Sequence, residues 1–392
     1  MKAFGTISRG VKAPIIKKGD NLVDIVTTSV LNACKENNVN LQDRDIVAVT
    51  EAVVAKSQGN FATLDQIAKD VNSKFKNETV GLIFPITSRN RFSMILKGIS
   101  KGVKKLIIQL SYPNDEVGNP LISEEKLLTS KVNPYTDVLT EEEFVKEFGE
   151  PCHLFTGMNY LKLYKELCEC DCEIILANNP LAILKYTKYV INADIHTRKR
   201  TKTLLLNNGA KVVYSLDEIL NKSVDGSGYH EEYGLLGSNM SKEGTIKLFP
   251  RNAQAFAEEL QKSFKEKTGK TIECMVYGDG AFKDPVGGIW ELADPVVSPG
   301  FTKGLEGTPN EVKFKYIADN NLQGLNNEEA DLKMKEIIKS KEKNLVAKST
   351  SLGTTPRRFT DLLGSLSDLT SGSGDKGTPI VLIQNYFDNY TD

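Results

Sequence analysis

Hydrophobic positions along the first third of the chain alternate between helical and strand-like spacing. Apolar residues at intervals of three and four predict helices at residues 22–33, 64–75 and about 92–99. Asp20 is a candidate cap for the first of these helices. Short uninterrupted apolar runs predict buried strands at residues 45–49, 80–84 and 105–110. Strands that alternate with helices in this way predict an α/β arrangement with much parallel pairing.

A break in this alternation marks the middle of the chain. Residues 111–150 are rich in Pro, Asn, Asp and Glu, which predicts a loop-rich connection or a domain boundary. Alternation then resumes, with predicted strands at residues 173–176, 189–195 and 211–214. A third section from about residue 221 contains predicted helices at residues 252–267, 327–343 and 359–369, and predicted strands at residues 272–277 and 380–383.

Composition narrows the class of protein. The chain has 392 residues and a net charge of −1, which gives no general attraction to nucleic acid or to an anionic membrane. The N-terminal residues lack the apolar core of a signal peptide, and no apolar run approaches the ~18 residues of a membrane span. We therefore expect a soluble, cytoplasmic protein of two or three domains that binds neither nucleic acid nor a membrane.

Three of the six cysteines alternate, at Cys168, Cys170 and Cys172. Thiolates bind zinc, but this spacing lacks the two-residue gap of a zinc knuckle, and the chain contains no C-x-x-C pair. We interpret these residues as thiols that lead into a strand in a reducing compartment.

Two glycine motifs resemble nucleotide-binding signatures in the wrong context. Gly269-Lys270-Thr271 matches the end of a P-loop, but Phe264 occupies the position of the motif's first glycine, and a helix precedes the triplet. The glycines at positions 372, 374 and 377 match the dinucleotide fingerprint, but a helix precedes them and a strand follows. We therefore expect no nicotinamide or flavin cofactor.

The clearest local signal is the acidic turn at residues 277–285. Asp279 and Asp284 follow a predicted apolar strand, and α/β proteins commonly bind ligands at the carboxyl ends of strands. Two carboxylates on a glycine turn suit one hard cation such as Mg²⁺, and Lys283 between them can neutralise phosphate charge. An ordinary Asp–Gly turn explains the same residues equally well.

Other polar segments favour phosphoryl chemistry. Residues 225–228 and 371–377 offer backbone N–H groups to an anion, although linker turns explain them equally well. Arg357 and Arg358 offer guanidinium groups suited to phosphate or carboxylate. The three histidines have no companions at triad or metal spacing, and no G-x-S-x-G motif is present. The remaining acids, lysines, arginines and glycines are typical of phosphoryl transfer.

Several segments together resemble a known family. They are the stretch from Gly19 to Gly59, which contains Lys56-Ser57-Gln58, residues 233–239, Gly278-Asp279-Gly280 after its strand, and the closing residues 361–382. These segments resemble the coenzyme F420-0:gamma-glutamyl ligase family. The resemblance implies an α/β to α+β fold, in which mixed sheets with packed helices form a ligase core with an inserted α/β subdomain. We accordingly assign residues 1–84 and 226–392 to the core and residues 85–225 to the insertion.

The resemblance also implies a reaction. Enzymes of this family work as dimers with GTP and Mg²⁺ or Mn²⁺, form an acyl phosphate on a carboxylate acceptor, and join it to the amine of L-glutamate. Carried over by position, Lys56 and Ser57 lie in a turn and face the nucleotide, and Asp279 binds the metal. A second metal-binding Asp of the family falls on Leu236, so we expect Asp284, Asp225 or Glu232 to replace it or the metal site to be rebuilt.

The remaining candidates are assigned by their chemistry. We expect Asp279 and Lys283 to act in catalysis, and the nucleotide phosphates to be bound by Arg357, Arg358 and Gly374. We expect the acceptor to be bound by Arg89, Arg91, Ser238 and Asn239, because the arginines lie near predicted strand ends and the other two lie in the family-like motif. The acceptor is a deazaflavin, a folate or another carboxylate.

Three other functions remain open at this point. The chain is alternatively a folate gamma-glutamyl ligase, or a metal-dependent phosphotransferase that stops after phosphoryl transfer. A third alternative is a nucleotide-binding protein without catalytic activity, because Leu236 cannot bind a metal at the family's Asp position.

Overall fold

The computed structural model describes residues 4–153, 157–278, 297–354, 357–371 and 374–392. Its strands are β1 (Ile7–Val11), β2 (Ile46–Thr50), β3 (Phe61–Thr63), β4 (Thr79–Ile83), β5 (Lys105–Leu110), β6 (Leu139–Thr140), β7 (Asp171–Leu176), β8 (Tyr189–Asn192), β9 (Val212–Ser215), β10 (Asn239–Lys242), β11 (Thr245–Lys247), β12 (Glu273–Tyr277), β13 (Gly300–Phe301) and β14 (Ile380–Gln384). Its α-helices are α1 (Leu22–Glu36), α2 (Glu51–Gln58), α3 (Leu64–Phe75), α4 (Ser93–Lys101), α5 (Glu124–Thr129), α6 (Glu141–Phe148), α7 (Tyr160–Leu167), α8 (Arg198–Asn207), α9 (Ala253–Thr268), α10 (Phe314–Asn321), α11 (Asn327–Ser340) and α12 (Phe359–Ser371). The predicted α/β to α+β class, with mixed sheets and packed helices, is confirmed.

Helix α1 shows how the apolar spacing becomes a packed face. Val26 and Val30 are completely buried on one side of the helix, as their separation of four residues predicts. The cap differs from the prediction, because Asn21 rather than Asp20 accepts a hydrogen bond from a backbone N–H of the first turn. The Asp20 carboxylate instead accepts a hydrogen bond from the N–H of Lys17 and closes the preceding turn.

A five-stranded sheet combines segments from distant parts of the chain. Its strand order is β1-β14-β2-β12-β13. Strands β2 and β12 are parallel and in register, with Thr50 beside Tyr277, whereas β14 runs antiparallel to both of its neighbours. The carboxyl ends of β1, β2 and β12 and the amino end of β14 therefore meet at one edge, which we call the carboxyl edge of the five-stranded sheet.

Helices cover both faces of this sheet. On one face, α1 and α9 pack against β2 and β12 through completely buried side chains such as Val26 and Leu260. On the other face, Leu363 of α12 packs against Ala48 and Met275. The sheet is thus the central layer of a three-layer arrangement, which explains why its inner strands β14, β2 and β12 consist mostly of apolar residues.

A six-stranded sheet is formed by residues 79–215. Its order is β6-β7-β5-β4-β8-β9, and all neighbouring strands are parallel except the short β6. Helices α3, α4, α6 and α7 cover one face, and α8 covers the other. This is a doubly wound sheet, in which β4 lies between β5 and β8. Strand β4 precedes the predicted boundary at residue 85, and the three-part division of the chain stays a prediction.

A small sheet joins the two large ones. Strands β10 and β11 form an antiparallel hairpin, and β11 also pairs with β3, which follows α2 directly. The hairpin contacts α2 beside the five-stranded sheet and α4 beside the six-stranded sheet. It therefore occupies the junction between the two large layers.

Helices α10 and α11 form an outlying unit with its own small core. Ile317, Met334 and Ile338 pack together there, and Tyr390 adjoins them. Every helix within the described ranges is too short or too polar to cross a bilayer.

Candidate active site

Three chain segments meet at the carboxyl edge of the five-stranded sheet. Strand β2 ends at Thr50, whose N–H donates to the carbonyl of Pro379 at 3.0 Å, directly before β14. Strand β12 ends at Tyr277, and the N–H of Gly278 donates to the carbonyl of Val297 at 2.8 Å. The predicted acidic turn therefore leaves the sheet at this edge. Its residues Asp279, Lys283 and Asp284 lie outside the described residues.

Helix α2 begins directly after β2 and corrects one expectation. The sequence predicts a turn through Lys56 and Ser57, whereas the structure has a helix from Glu51 to Gln58 that ends at Gly59 in the left-handed conformation. Lys56 lies on the exposed side of the last turn, while the Ser57 hydroxyl donates to the Val54 carbonyl within the helix at 2.8 Å. Of Lys56 and Ser57, Lys56 is the residue that places a charged group on the exposed side of the helix.

A buried ion pair links α2 to the hairpin. The Lys247 ammonium group donates a hydrogen bond to the Glu51 carboxylate, and each residue is only 5% exposed. Glu51 is the first residue after β2, so the pair lies beside the carboxyl edge. Buried ion pairs often contribute little net stability, because desolvation of both charges offsets their attraction. Sequence analysis missed this pair, since 196 positions separate its members.

The hairpin also carries one predicted acceptor-binding residue, Asn239, and another, Ser238, directly precedes it. Asn239 lies directly opposite Lys247 in the β10–β11 ladder. The N–H of Met240 donates to the carbonyl of Asn90 at 2.6 Å, which fixes the hairpin to the loop after β4. The structure thus brings Asn239 close to the loop that contains Arg89 and Arg91, and their shared role in acceptor binding stays a prediction.

A shallow cleft lies where this loop meets the hairpin, between the carboxyl ends of β4 and β8. We call it the β4–β8 cleft. Arg91 and Ser238 contribute its polar groups, whereas Arg89 is exposed and does not line it. The Ser238 hydroxyl donates to the Leu235 carbonyl at 2.7 Å. The remaining wall is mostly apolar and consists of Ile86, Phe92, Ile95, Ala193, Ile195, Leu216, Leu235, Leu236 and Gly237.

Leu236, which stands at the family's Asp position, belongs to this apolar wall. It is 2% exposed and packs in the main hydrophobic core. The next residue, Gly237, has a φ of +68°, and a Cβ there would lie 1.9 Å from the Phe249 ring. The segment is therefore fixed by packing, and the apolar side chain suits a position where a carboxylate would lose its hydration.

The three remaining predicted ligands lie in different settings. Asp225, a predicted metal ligand, pairs with Lys69 at 2.5 Å on the surface of α3. Arg358, a predicted phosphate ligand, donates two hydrogen bonds of 3.1 Å to Asp361, and Arg357 beside it is exposed. No group of three candidate ligands for a metal is present in the part of the chain that the structure describes. The metal-binding and nucleotide-binding roles of these residues stay predictions.

Residues 374–379, which precede β14, lead to the carboxyl edge. Gly374 has open space around it, and the Thr378 hydroxyl donates to the carbonyl of Ser371 at 3.0 Å. Because Pro379 accepts a hydrogen bond from Thr50, the end of this loop lies beside the first turn of α2. Gly374, Lys56 and the start of the acidic turn are therefore carried by segments of the same edge.

Two neighbouring carboxyl groups after β5 and β8 were also missed. The N–H groups of Ile195 and His196 donate hydrogen bonds to the Glu116 carboxyl group, which lies beside that of Asp194. Burial, reinforced by Asp194, raises the pKa of Glu116 to about 8. Burial also opposes ionisation of Asp194, but hydroxyl groups such as that of Thr201 outweigh it and lower its pKa. Of the two, Glu116 therefore holds its proton to the higher pH.

The alternating cysteines lie at the amino end of β7, at the end of the six-stranded sheet opposite the β4–β8 cleft. Cys168 follows α7, and Cys172 lies in β7. All six cysteines are free thiols. The interpretation as thiols that lead into a strand agrees with β7, which begins at Asp171.

The fold and the edge define an α/β protein whose strand ends bring helix α2, the segment before β14 and Gly278 together, and α/β enzymes commonly bind ligands at such strand ends. The family model for F420-0:Gamma-glutamyl ligase matches residues 10–385, and the chain therefore belongs to this family. The family is one of ligases, which implies small-molecule substrates such as glutamate. The match also spans residues 85–225. A search of curated proteins found no match to the chain.

Proposed function

We propose that the chain is a GTP-dependent amide ligase that joins L-glutamate to a carboxylate acceptor. The family match over residues 10–385 is the observation that carries this proposal. The arrangement of the carboxyl edge supports it, because three segments with phosphate-binding or acidic character converge there. The product is an amide, and GTP is converted to GDP and phosphate.

The proposed reaction has two steps. An oxygen of the acceptor carboxylate takes the γ-phosphoryl group of GTP, which gives an acyl phosphate and GDP. The amine of glutamate then attacks the acyl carbon, phosphate leaves, and a proton is lost from the nitrogen. Negative charge increases on the transferred phosphoryl oxygens, so cationic groups at this position accelerate the first step.

Residues at the carboxyl edge supply these groups in the proposal. Lys56 projects from the last turn of α2 toward the nucleotide phosphates, and Gly374, Arg357 and Arg358 provide further contacts. Lys283 neutralises charge on the transferred phosphoryl group. Asp279 and Asp284, with Asp225 as an alternative, are the proposed ligands for Mg²⁺ or Mn²⁺, since carboxylates suit hard cations. The bound ion supplies Lewis-acid charge neutralisation of the phosphates.

The acceptor occupies the other side of the hairpin in this scheme. Arg89, Arg91, Ser238 and Asn239 are proposed to bind it, because the hydrogen bond from Met240 to Asn90 brings their two segments together. Asn239 lies opposite Lys247, which contacts Glu51 at the end of β2. An acceptor at Asn239 is thus separated from the carboxyl edge by one pair of facing strand residues and one ion pair. The nucleotide is proposed to bind at that edge. A homodimer is part of the same family-based proposal.

The decisive experiment separates amide synthesis from its alternatives. Small molecules that copurify with the protein are identified by mass spectrometry, and the purified protein is incubated with GTP, Mg²⁺, L-glutamate and deazaflavin or folate acceptors. An acceptor that gains one glutamate together with GDP supports the ligase. A phosphorylated acceptor that gains no glutamate supports a phosphotransferase. GTP binding without turnover supports the inactive protein that Leu236 suggests.

A variant pair tests the acidic turn within the same assay. Asp279→Asn is expected to reduce turnover by at least about a hundredfold, because a ligand of the phosphate-bound cation is lost. Asp43→Asn serves as the control, since Asp43 lies before β2 at the opposite end of the sheet and forms an exposed ion pair with Lys270. Equal activity of the two variants would place the metal site elsewhere.

A further inference from the structure

Two surfaces of opposite charge lie at the two edges of the six-stranded sheet, whose order begins with β6 and ends with β9. The acidic surface is the exposed side of α5 and α6, and α6 contacts β6. The basic surface is the exposed side of α8 and of the 3₁₀ helix Pro180–Lys185, and α8 contacts both that helix and β9. Five strand spacings of about 4.8 Å each separate the edges, so the two surfaces do not meet within one copy of the chain.

The sequence of each region matches its surface. Residues 115–150 contain ten Asp or Glu residues and three Lys residues. Residues 180–214 contain seven Lys or Arg residues and one acidic residue, Asp194, which is buried. The whole chain has a net charge of only −1, so the opposite charges are separated in space rather than mixed over the surface.

Helix α8 presents cations and apolar side chains on the same outward side. Arg200 lies four residues before Leu204, and Lys199 lies seven residues before Leu206, so each pair shares a face of the helix. All four are exposed, whereas Leu205 is completely buried against the sheet. Leu204 and Leu206 keep 39% and 44% of their surface exposed. This side of α8 therefore offers an apolar area with positive charge beside it.

The stability of α8 does not explain where its cations lie. The first turn contains Arg198, Lys199 and Arg200 and no acidic residue, and the last turn contains no basic residue. Cations are unfavourable at the positive end of a helix dipole. Arg198 has a structural partner, because it forms an ion pair with Asp217 at 3.1 Å. Lys199 and Arg200 are exposed, and their position suits an anionic group from outside the chain.

The acidic surface repeats the arrangement of α8 with the opposite charge. Glu124 lies four residues before Leu128 on α5, and Leu128 is 83% exposed. Glu125 beside it is exposed as well. The Lys126 ammonium group donates to the carbonyl of Phe148 at 2.8 Å, which joins α5 to the end of α6. Helices α5 and α6 therefore form one continuous support for these side chains.

The two surfaces also match in their apolar parts. Each has an exposed leucine one helical turn after a charged residue, at Leu128 on α5 and at Leu204 on α8. Each also has an exposed tyrosine nearby in sequence, Tyr135 at 84% and Tyr186 at 42%. Aromatic and apolar side chains with a charged rim are typical of the surfaces that proteins use to bind one another.

We propose that the acidic surface of one copy of this chain docks on the basic surface of a second copy. The second copy is the occupant because it carries the opposite charge at the same helical spacing as the surface that it meets. Such a contact joins two different surfaces and is heterologous, whereas a twofold homodimer joins two identical ones. It therefore repeats head to tail and gives a ring or a chain of copies larger than a dimer.

Sedimentation velocity of the full chain tests the proposal. At ~0.05 M salt, the wild type should form species larger than the one present at ~1 M salt, where charge interactions reach only about 3 Å. The fraction of larger species should increase with protein concentration, because the contact forms between separate molecules. A sedimentation coefficient that is the same at both salt concentrations and at every protein concentration would overturn the proposal.

Charge reversal on either surface should prevent the association. Lys199→Glu with Arg200→Glu, and Glu124→Arg with Glu125→Arg, are each expected to weaken it at least about tenfold, because like charges then face each other. Acidic residues in the first turn favour a helix, so the α8 variant should keep its fold. Glu147→Arg, on the exposed side of α6, replaces the α5 variant if circular dichroism shows a loss of structure.

A mixture of the two variants gives the sharpest result. The α8 variant keeps an intact acidic surface and the α5 variant keeps an intact basic surface, so a fluorescently labelled α8 variant should form larger species with the α5 variant although neither does so alone. Failure of the mixture to associate would overturn the proposal, as would larger species that persist in both variants.

A control variant separates the surfaces from overall charge. Lys35→Glu with Lys262→Glu changes the net charge as much as the α8 variant does, on exposed positions of α1 and α9, and should associate as the wild type does. The same weakening in this control would overturn the proposal. Wild-type protein that binds anionic phospholipid vesicles or nucleic acid through α8 and does not bind itself would also overturn it, by assigning the basic surface to another partner.

Discussion

The two large sheets differ in how the chain supplies their strands. The six-stranded sheet takes all its strands from residues 79–215, whereas the five-stranded sheet takes its strands from residues 7–50, 273–301 and 380–384. The strands of the first sheet thus come from one continuous region, although residues 235–238 from outside that region complete the wall of the β4–β8 cleft. In the second sheet, the carboxyl edge exists only where three distant segments meet. The strand order of the first sheet therefore depends on one region of the chain, and that of the second depends on segments that are far apart in the sequence.

The β10–β11 hairpin connects the two large sheets. Strand β10 carries Asn239 and begins directly after the cleft residue Ser238, while β11 carries Lys247, which contacts Glu51 beside the five-stranded sheet. The two sheets are therefore connected by a ladder and a buried ion pair rather than by a flexible linker. Substitutions at the connecting residues test whether this contact between the two sheets contributes to the stability of the protein.

Loss of the buried ion pair should have the largest effect on stability. Lys247→Met leaves the Glu51 carboxylate buried without its ammonium partner, which is expected to lower the free energy of unfolding by about 3–5 kcal/mol. Urea unfolding monitored by circular dichroism measures the change. Glu51→Leu combined with Lys247→Met should restore most of the loss, because two apolar residues replace the charges. A single variant as stable as the wild type would show that the connection does not depend on the pair.

Gly237 tests the connection from the cleft side. A methyl group there would overlap the Phe249 ring, and the residue would keep an unfavourable φ of +68°. Gly237→Ala is therefore expected to lower the free energy of unfolding by about 2–4 kcal/mol. Gly244→Ala is the matched control, since Gly244 has a φ of +74° with nothing within 4 Å, and it should cost only about 1 kcal/mol. Similar losses in both variants would contradict the role of the Phe249 contact.

Lys56 tests the carboxyl edge without disturbing the connection. Because this side chain is exposed on α2, Lys56→Ala should leave the unfolding transition unchanged and weaken GTP binding about tenfold, through loss of one charge-assisted phosphate contact. Calorimetric titration with GTP and Mg²⁺ provides the affinity. Lys35→Ala, an exposed lysine in the last turn of α1, is the control. Unchanged affinity in the Lys56 variant would remove this residue from the nucleotide site.

A further prediction concerns pH and the loops after β5 and β8. The folded protein keeps Glu116 protonated up to a pKa of about 8, so between its ordinary value and about pH 8 the folded state binds more protons than the unfolded state. This contribution to stability is therefore present in acid and declines as the pH rises through that window. The melting temperature of the wild type should fall relative to that of Glu116→Gln between pH 5 and about 8. Parallel pH profiles of the two proteins would show that protonation of Glu116 does not stabilise the folded protein.

The buried strands were predictable because their surroundings impose one pattern. The apolar runs at residues 45–49, 80–84 and 105–110 became β2, β4 and β5, since strands covered on both faces have apolar side chains throughout. Helix α2 was not predicted, because its buried residues are Glu51, Val54 and Ala55, and the pattern of its apolar side chains is weak. Helix ends also shifted, with α11 ending at Ser340 instead of residue 343.

The candidate site was predictable only in part. A position near a predicted strand end pointed to Arg91, and the family-like motif pointed to Ser238, but the hydrogen bond between Met240 and Asn90 brings their segments to a common cleft. The pairing of Glu51 with Lys247 had no local signal, because each residue alone has the composition of a solvated surface. Such pairs become visible only when the sheet order is known.

The position of β14 in the five-stranded sheet has a consequence for biosynthesis. This strand lies between β1 and β2 and pairs with both, although it is the last of the described strands to be translated. Strands β1 and β2 therefore wait, unpaired with each other, until residues 380–384 have emerged from the ribosome, whereas residues 79–215 already contain every strand of their sheet. Because domains fold as units during synthesis, the strands of the six-stranded sheet assemble first and the carboxyl edge of the five-stranded sheet assembles last. A nascent chain would thus acquire this edge only when translation has passed β14.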